Sequence, residues 1–403
     1  MIIAGTLITP DGGGARLVEG WLRVEGRRIA EAGVGACPHT VDVGGPEHVV
    51  APGFVDAHLH LPQFDSIGAD GLPLLEWLDT VIFPAEARWE DPSYAHAMTS
   101  RVLARLVRRG TTAIAAYATV HHAGALAACA AARELGVRAV IGQVLMDVHG
   151  PEFLIRPTAQ MLREAEAYLA QARPPHSRVE PGLNPRFALV CTMELMRGAA
   201  RLAKATGALV QTHLSETIPE CARLGELFDG LDYVEVYGRA GLLGPRSVFA
   251  HGIHLSARER GELAASGSIV AHCPTANLFL QSGTMDRRAT LAAGVRLALG
   301  SDIAGGPDRS MVRVARAMIE AAKAIGGPLP TAGECWWQIT AGNARALGWP
   351  DAGTLDMGAA ADVVVFEPDV PWRTARDPLS CLLYAWDDSW IDAVVLDGTP
   401  VAL

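Results

Sequence analysis

Residues 55–63 read VDAHLHLPQ and are separated from Pro52 and Gly53 by Phe54 alone. Side chains two residues apart on a strand point the same way, so His58 and His60 can converge on one point. A strand that serves only a core would carry Val or Ile at these positions. A single His-x-His pair lies more often in a loop or on a solvent-exposed face than in a functional site. The rest of the chain therefore decides between these interpretations.

Apolar strand-like runs alternate with helical patterns from about residue 51 to residue 350. GTTAIAAYAT (110–119) is followed by the Ala-rich helical stretch ALAACAAARELG (125–136) and then by VRAVIGQVLMD (137–147). Continuous apolar strands that alternate with helices are typical of a parallel sheet buried on both faces. We therefore predict a (β/α)₈ TIM barrel, an α/β fold, over residues 51–350. A doubly wound open sheet is the alternative, although no G-x-G-x-x-G or Walker loop follows the first strand.

The two ends of the chain show a different pattern of short strands and turns. Examples are LVEGWLRVEGRRIAEAG (17–33) and GAAADVVVFEPD (358–369). Neither end alone is long enough to bury a core. We expect residues 1–50 and 351–403 to join as one small β-sandwich domain beside the barrel.

Composition excludes several classes of function. The 403 residues are 50% hydrophobic with a net charge of −10, and no cluster of Lys and Arg forms the basic stripe that nucleic acid or an anionic membrane would require. The first residues, MIIAGTLITPDGGG, lack the features of a secretory signal. Seven scattered cysteines, never in C-x-x-C, indicate reduced thiols of a cytoplasmic protein.

Polar residues recur where successive predicted strands end, which in such barrels is the end that carries the active site. His213 ends ALVQTH, His251 ends SVFAH and Asp302 ends RLALGSD. A single buried histidine at a strand end is usually structural, but a series of them at one end of a barrel favours a site. Three imidazoles and one carboxylate suit Zn²⁺ or a similar divalent ion. The predicted metal ligands are His58, His60, His213 and Asp302.

A nearby glutamate and a further histidine complete a hydrolytic site. The metal would lower the pKa of its water from about 15.7 towards roughly 7, so that hydroxide forms at neutral pH. Glu216, three residues after His213, can carry a proton from the water to the substrate ring and then to the leaving nitrogen. His251 would hydrogen-bond the water and stabilise charge at the attacked carbon. The predicted catalytic residues are Glu216, His251 and Asp302.

This order of histidines and aspartate across a barrel resembles the amidohydrolase superfamily, and the match covers nearly the whole chain. Some members bridge two metals with a carboxylated lysine near the end of the fourth strand. Here Lys204 lies within a helical pattern and Lys323 follows Asp302, so neither fits. The resemblance implies one zinc ion per chain, with iron or manganese left open.

Within the superfamily, several motifs are similar to the guanine deaminase family. They include LPLLEW (72–77), FPAE (83–86), NPRFAL (184–189) and GSDIAGG (300–306). The resemblance implies deamination of guanine to xanthine and ammonia in purine catabolism. An Arg fork can donate to the O6 and N7 acceptors of guanine, Gln offers a donor and an acceptor, and Phe can pack on the ring. The implied substrate contacts are Gln63, Arg186, Phe187, His213, Glu216 and His251; we also expect a homodimer.

Two alternatives remain. Residues 307–311, PDRSM, depart from the guanine deaminase pattern, which leaves a deaminase or chlorohydrolase of another ring, such as a pterin, triazine or pyrimidine. A non-catalytic metal-binding barrel is disfavoured because Glu216 has no use in metal binding alone. We interpret Trp77 mainly as packing at the pocket border and His272 as pocket wall or an outer layer of the site.

Overall fold

The computed structural model describes residues 1–174 and 177–402, and Leu403, the last residue of the predicted terminal domain, lies outside this range. The described chain contains fifteen strands. They are β1 (Ile2–Asp11), β2 (Gly14–Glu25), β3 (Arg28–Val34), β4 (Val43–Pro52), β5 (Phe54–His60), β6 (Thr111–Tyr117), β7 (Arg138–Leu145), β8 (Val179–Pro185), β9 (Val210–Leu214), β10 (Ser247–His251), β11 (Ile269–His272), β12 (Arg296–Leu299), β13 (Val363–Phe366), β14 (Ile391–Leu396) and β15 (Thr399–Val401).

Fifteen α-helices accompany the strands over the same residues. They are α1 (Leu74–Trp77), α2 (Phe83–Ala87), α3 (Pro92–Val107), α4 (His122–Leu135), α5 (Thr158–Gln171), α6 (Met193–Thr206), α7 (Ile218–Leu227), α8 (Tyr233–Ala240), α9 (Ala257–Ala265), α10 (Pro274–Phe279), α11 (Arg287–Ala292), α12 (Met311–Ala324), α13 (Ala332–Trp337), α14 (Asn343–Ala346) and α15 (Pro378–Tyr384). None of these helices is long and apolar enough to cross a membrane.

Strands β5 to β12 form one eight-stranded sheet in which neighbours in space are neighbours in sequence. Every residue of β5 and of β6 is buried, as expected for strands covered on both faces. Beyond β12 the chain bonds back to β5: the Asp302 N–H donates to the His58 carbonyl at 2.8 Å, and the His60 N–H donates to the Ile303 carbonyl at 2.9 Å. These bonds join the last strand position to the first and confirm the predicted (β/α)₈ barrel.

Local sequence explains where the barrel helices begin and end. The Thr192 side chain accepts a hydrogen bond from the Leu195 N–H and begins α6, while Gly207 ends it in the left-handed region at φ 71°. A Thr217–Glu220 capping box begins α7. These caps position the segments that leave β8 and β9, which carry much of the candidate site.

The remaining seven strands form a second sheet in the order β15-β14-β13-β4-β1-β2-β3. The two chain ends meet where β4 pairs with β13 in antiparallel register, Val50 opposite Val365. The buried cluster on this sheet draws from both ends: Ile3, Leu7, Leu22, Ile29, Val50, Val363, Val365 and Val395. Neither end could bury these side chains alone, which is why both are needed for the additional sheet.

The described chain divides into two compact units. One contains residues 1–56, 104–114 and 308–403, and the other contains residues 57–103 and 115–307. All the candidate site residues lie in the second unit. The domain boundaries after residue 50 and before residue 351 stay predictions.

Candidate active site

His58 and His60 lie side by side at the carboxyl end of β5. Both side chains are buried, and their ring centroids are 5.1 Å apart. His213 reaches the same point from β9, with its Nε2 3.2 Å from Nε2 of His60. Asp302, just beyond β12, places its Oδ1 3.3 Å from His58 Nε2 and 3.4 Å from His60 Nε2. Ligand atoms of all four predicted metal ligands fall within 4.8 Å of one another.

The surroundings of these imidazoles suit a cation. The His213 Nδ1–H donates to the Arg186 carbonyl at 2.6 Å, and His58 Nδ1 lies 3.2 Å from the Gln211 side-chain oxygen. Each bond fixes the tautomer in which Nε2 carries the lone pair and faces the other ligands. Burial, followed by the neighbouring histidines, lowers the pKa of His60 and of His213 well below the usual value. Neutral imidazoles plus one carboxylate therefore fit a divalent metal at this point.

Glu216 and His251 face each other beside this group. His251 Nε2 lies 3.3 Å from Glu216 Oε2 and 3.8 Å from Asp302 Oδ2. On its other side, the His251 Nδ1–H donates to the Asn277 side-chain oxygen at 2.9 Å. The Ser282 hydroxyl donates to Glu216 Oε1 at 2.9 Å. Asn277 and Ser282 thus orient the His251 ring and the Glu216 carboxylate. Sequence reasoning missed both residues, although they lie in one stretch, AHCPTANLFLQSG (271–283).

Glu216 is able to hold a proton near neutral pH. Burial, and then the negative charge of Asp302, raise the pKa of Glu216 to about 8. A cation held by Asp302 would offset the second of these causes. A carboxyl group poised near neutrality suits the predicted transfer of protons in both directions.

A second buried carboxylate, Glu220, supports the loop that carries Glu216. It accepts the backbone N–H groups of Glu216 at 3.2 Å and Thr217 at 3.1 Å, and it also accepts the Tyr233 hydroxyl. Burial, and then the charge of Glu216, raise the pKa of Glu220 to about 7. Sequence reasoning missed this residue, although the capping-box spacing of TIPE (217–220) could have marked it.

Three residues at this end of the barrel adopt the left-handed backbone region. Their φ angles are 46° for Ser215, 72° for His251 and 50° for Asp302. This region disfavours residues with a Cβ and is tolerated mainly where the surrounding structure imposes it, frequently at functional sites. Here it occurs where the strand-end side chains turn towards the cluster, a feature that no sequence pattern indicated.

A cavity opens beside the four predicted metal ligands. Apart from His58, every predicted site residue lines it. The lining residues are His60, Gln63, Leu74, Trp77, Leu78, Arg186, Phe187, His213, Glu216, Glu220, His251, Leu280 and Asp302. Trp77 is thus at the pocket border, as we expected, whereas His272 is buried without lining it.

Arg186 and Gln63 meet through a carboxylate that the sequence interpretation did not assign. The Arg186 Nη1 donates to both Glu86 oxygens at 2.7 Å, and Gln63 Nε2 donates to Glu86 Oε1 at 3.0 Å. Phe187 lines the same cavity, and its ring centroid lies 6.3 Å from that of His213. Arg186 is therefore neither a surface ion pair nor an isolated fork but one half of a buried ion pair at the cavity wall.

Comparison with known proteins identifies what this chain is similar to. The model of the amidohydrolase family matches residues 49–401. Guanine deaminase of Escherichia coli is 34% identical over 362 residues, which cover 87% of this chain and 82% of that protein. A crystal structure of guanine deaminase from C. acetobutylicum with guanine bound in its active site superposes with a TM-score of 0.93 at 27% identity, over 100% of this chain and 99% of that one.

A second solved structure carries a metal. An adenosine deaminase from Xanthomonas campestris with bound zinc is 26% identical with a TM-score of 0.89, over 99% of this chain and 92% of that one. Proteins of this shape therefore include a guanine deaminase and an adenosine deaminase.

Proposed function

The chain belongs to the amidohydrolase family, and we propose that its barrel site hydrolyses guanine to xanthine and ammonia. The observation that carries this proposal is the joint placement of a three-histidine, one-aspartate group, the Glu216–His251 pair and the Arg186–Gln63 wall around one cavity. The similarity to guanine deaminases over most of the chain supports the choice of ring.

We propose that His58, His60, His213 and Asp302 hold one divalent ion per chain, and that this ion is zinc. Iron and manganese use similar ligands and stay alternatives. These four residues form the one metal-capable group found in residues 1–174 and 177–402. When bound, the ion would supply a Lewis acid that makes water a nucleophile at neutral pH.

Glu216 moves the protons in the proposed reaction. It takes a proton from the water whose oxygen adds to C2 of guanine, and it passes that proton to N3 of the ring. A second proton then goes from the added hydroxyl through Glu216 to the amino group, the C2–N bond breaks, and ammonia leaves with xanthine as the product. One glutamate suffices because each transfer returns it to its starting state.

His251 and the cavity wall orient the reactants. Asn277 holds the His251 ring so that Nε2 faces Glu216 and Asp302, where it can hydrogen-bond the attacking water. Arg186 can donate to the O6 acceptor of the ring, and Phe187 can pack on its face. Together they place C2 next to Glu216 rather than leaving the ring free to turn.

Ammonia release from a panel of rings tests this proposal. Purified zinc-loaded protein is incubated with guanine, a pterin, a triazine and adenine, and ammonia is quantified alongside the ultraviolet spectrum of xanthine. We expect guanine to have the highest kcat/KM. A pterin or triazine that exceeded guanine would replace the substrate and keep the reaction type. Chloride released from a chlorinated triazine would indicate the chlorohydrolase alternative, and neither ammonia nor chloride from any ring would support the non-catalytic alternative.

Two broader expectations also stand as proposals. Seven cysteines without a disulfide among the described residues support a cytoplasmic location. The predicted homodimer is tested by light scattering coupled to size-exclusion chromatography, where a mass of about 43 kDa would contradict it.

A further inference from the structure

Glu86 is a buried carboxylate whose partners are two residues of the cavity wall. Glu86 and Arg186 are each only 2% exposed, and their charges are paired by two contacts from one guanidinium nitrogen at 2.7 Å. Gln63, also 2% exposed, donates its amide nitrogen to the same carboxylate at 3.0 Å. A single group therefore connects the two polar residues that flank the cavity on this side.

The short helix α2 holds Glu86 in place. Phe83 and Glu86 are three residues apart on it and so lie on one face. The Arg186 guanidinium carbon sits 5.2 Å from the centroid of the Phe83 ring. Since the same helix face gives the guanidinium both an ion pair and an aromatic neighbour, the position of Arg186 is fixed relative to Glu86.

A carboxylate can only accept hydrogen bonds, and this decides which way the Gln63 amide points. The nitrogen of the Gln63 amide has to face Glu86, so the oxygen of this amide points away from Glu86. With a neighbour able to donate as well as accept, the amide could adopt either orientation. Glu86 thus determines the donor and acceptor pattern that this wall can present.

We propose that Glu86 is a positioning residue that sets an Arg186 donor beside a Gln63 acceptor, and that the pair reads the lactam edge of the purine. The inference rests on the proposed function and names what selects its substrate. On guanine, O6 accepts a hydrogen bond and the adjacent N1–H donates one. On 2,6-diaminopurine the 6-amino group donates and N1 accepts. The group that would be hydrolysed, the amino group at C2, is the same in both rings.

The ratio of kcat/KM for guanine to that for 2,6-diaminopurine isolates this selection, because both rings lose the same group at the same carbon. Glu86→Gln keeps the shape of residue 86 but can donate, so the Gln63 amide is free to turn. We expect the ratio to fall at least about tenfold, mainly through a higher KM for guanine. A merely structural role would lower both activities together and leave the ratio unchanged.

The exchange variant Gln63→Glu/Glu86→Gln is the matched control. It moves the acceptor-only group to position 63, where its oxygen faces the ring, and keeps one carboxylate near Arg186. We expect it to recover the wild-type preference for guanine. If thermal unfolding shows that Glu86→Gln is not folded, the exchange variant is tested alone. A retained preference for guanine then supports the inference, and a lost preference overturns it.

The outcomes also separate this inference from the proposed function. A wild-type protein that does not deaminate guanine would overturn the proposed function. A different result would overturn only the role of Glu86. In that case the wild-type protein prefers guanine, and the guanine to 2,6-diaminopurine ratio of kcat/KM in Glu86→Gln lies within about twofold of the wild-type ratio.

Discussion

The predicted metal ligands and the polar residues of the cavity wall are brought together in different ways. His58, His60, His213 and Asp302 come from strand ends of the barrel sheet, where the backbone ladder itself brings them together. Gln63, Glu86 and Arg186 come from segments outside the strands and meet through a buried ion pair between residues 100 positions apart. The first group is fixed by the fold, whereas the second is fixed by side-chain chemistry.

This difference predicts different failures. A lost ligand in the metal group should remove the ion and with it the reaction, while the barrel remains. A lost member of the wall should leave the ion bound but change stability and choice of ring. Substitutions in each group test that division.

Removing a metal ligand should have the largest effect. We expect His58→Ala and Asp302→Ala to lose the ion and all measurable deamination, because direct ligands matter more than the residues behind them, whose loss costs about 10–100-fold. Gln211→Ala, which alters only the partner of His58 Nδ1, is the matched control and should fall in that milder range. Elemental analysis with ammonia assays measures both. A His58→Ala protein that binds a full equivalent of zinc would remove His58 from the ligand set.

Glu216→Gln should keep the ion and lose turnover. The amide cannot relay protons, so kcat should fall by about 10²–10⁴ with little change in metal content. Ser282→Ala, which removes only the hydrogen bond to Glu216 Oε1, should cost much less. Stopped-time ammonia assays on proteins of equal zinc content measure the two. Near-normal turnover in Glu216→Gln would exclude Glu216 from the mechanism.

Arg186→Ala should damage stability and substrate use but not metal binding. It leaves the Glu86 charge buried without its partner, which typically costs about 3–5 kcal/mol of unfolding free energy. The lost charge-assisted hydrogen bond to the ring adds about ten- to a hundredfold in kcat/KM. Arg186→Lys should rescue little, since a point charge does not replace the planar fork. Urea unfolding and guanine kinetics measure both effects; an unchanged kcat/KM would make Arg186 purely structural.

The smallest expected effect concerns the pH dependence of stability at Glu220. Its pKa is raised from an ordinary value near 4.5 to about 7, so the folded chain binds more protons than the unfolded chain between these values. Stability from this group is therefore present at low pH and decreases as pH rises towards 7. Glu220→Gln should remove that decrease. The free energy of unfolding of the variant relative to wild type should therefore be higher at pH 8 than at pH 5, by up to about 3 kcal/mol. Thermal unfolding of metal-free wild type and Glu220→Gln at the two pH values checks the sign; a difference between variant and wild type that does not grow in favour of the variant from pH 5 to pH 8 would contradict it.

The barrel and the metal group could be predicted from the sequence because both leave a regular signature. Period-2 spacing marks His58 and His60, and His213 and Asp302 end apolar runs separated by β/α-sized intervals. The same strand ends mark Glu216 and His251, the predicted catalytic residues. The structure confirms the barrel and brings these six residues together; their roles stay proposals.

Other parts of the site leave no such signature. Glu86 pairs with Arg186 only after folding, and nothing local in FPAE distinguishes an acceptor for a distant guanidinium from a helix-start acid. The left-handed backbone at His251 and Asp302 is likewise set by the surrounding chain. Periodicity reports which face of a strand a residue occupies, but it does not report which distant side chain it will meet.

Titration of metal-free protein with zinc, followed by guanine turnover, tests whether one bound ion enables the reaction. If one ion held by His58, His60, His213 and Asp302 enables deamination, kcat/KM should rise linearly with added zinc and reach its plateau at one equivalent per chain. Full activity in the metal-free protein, or a plateau only at two equivalents, would contradict the account.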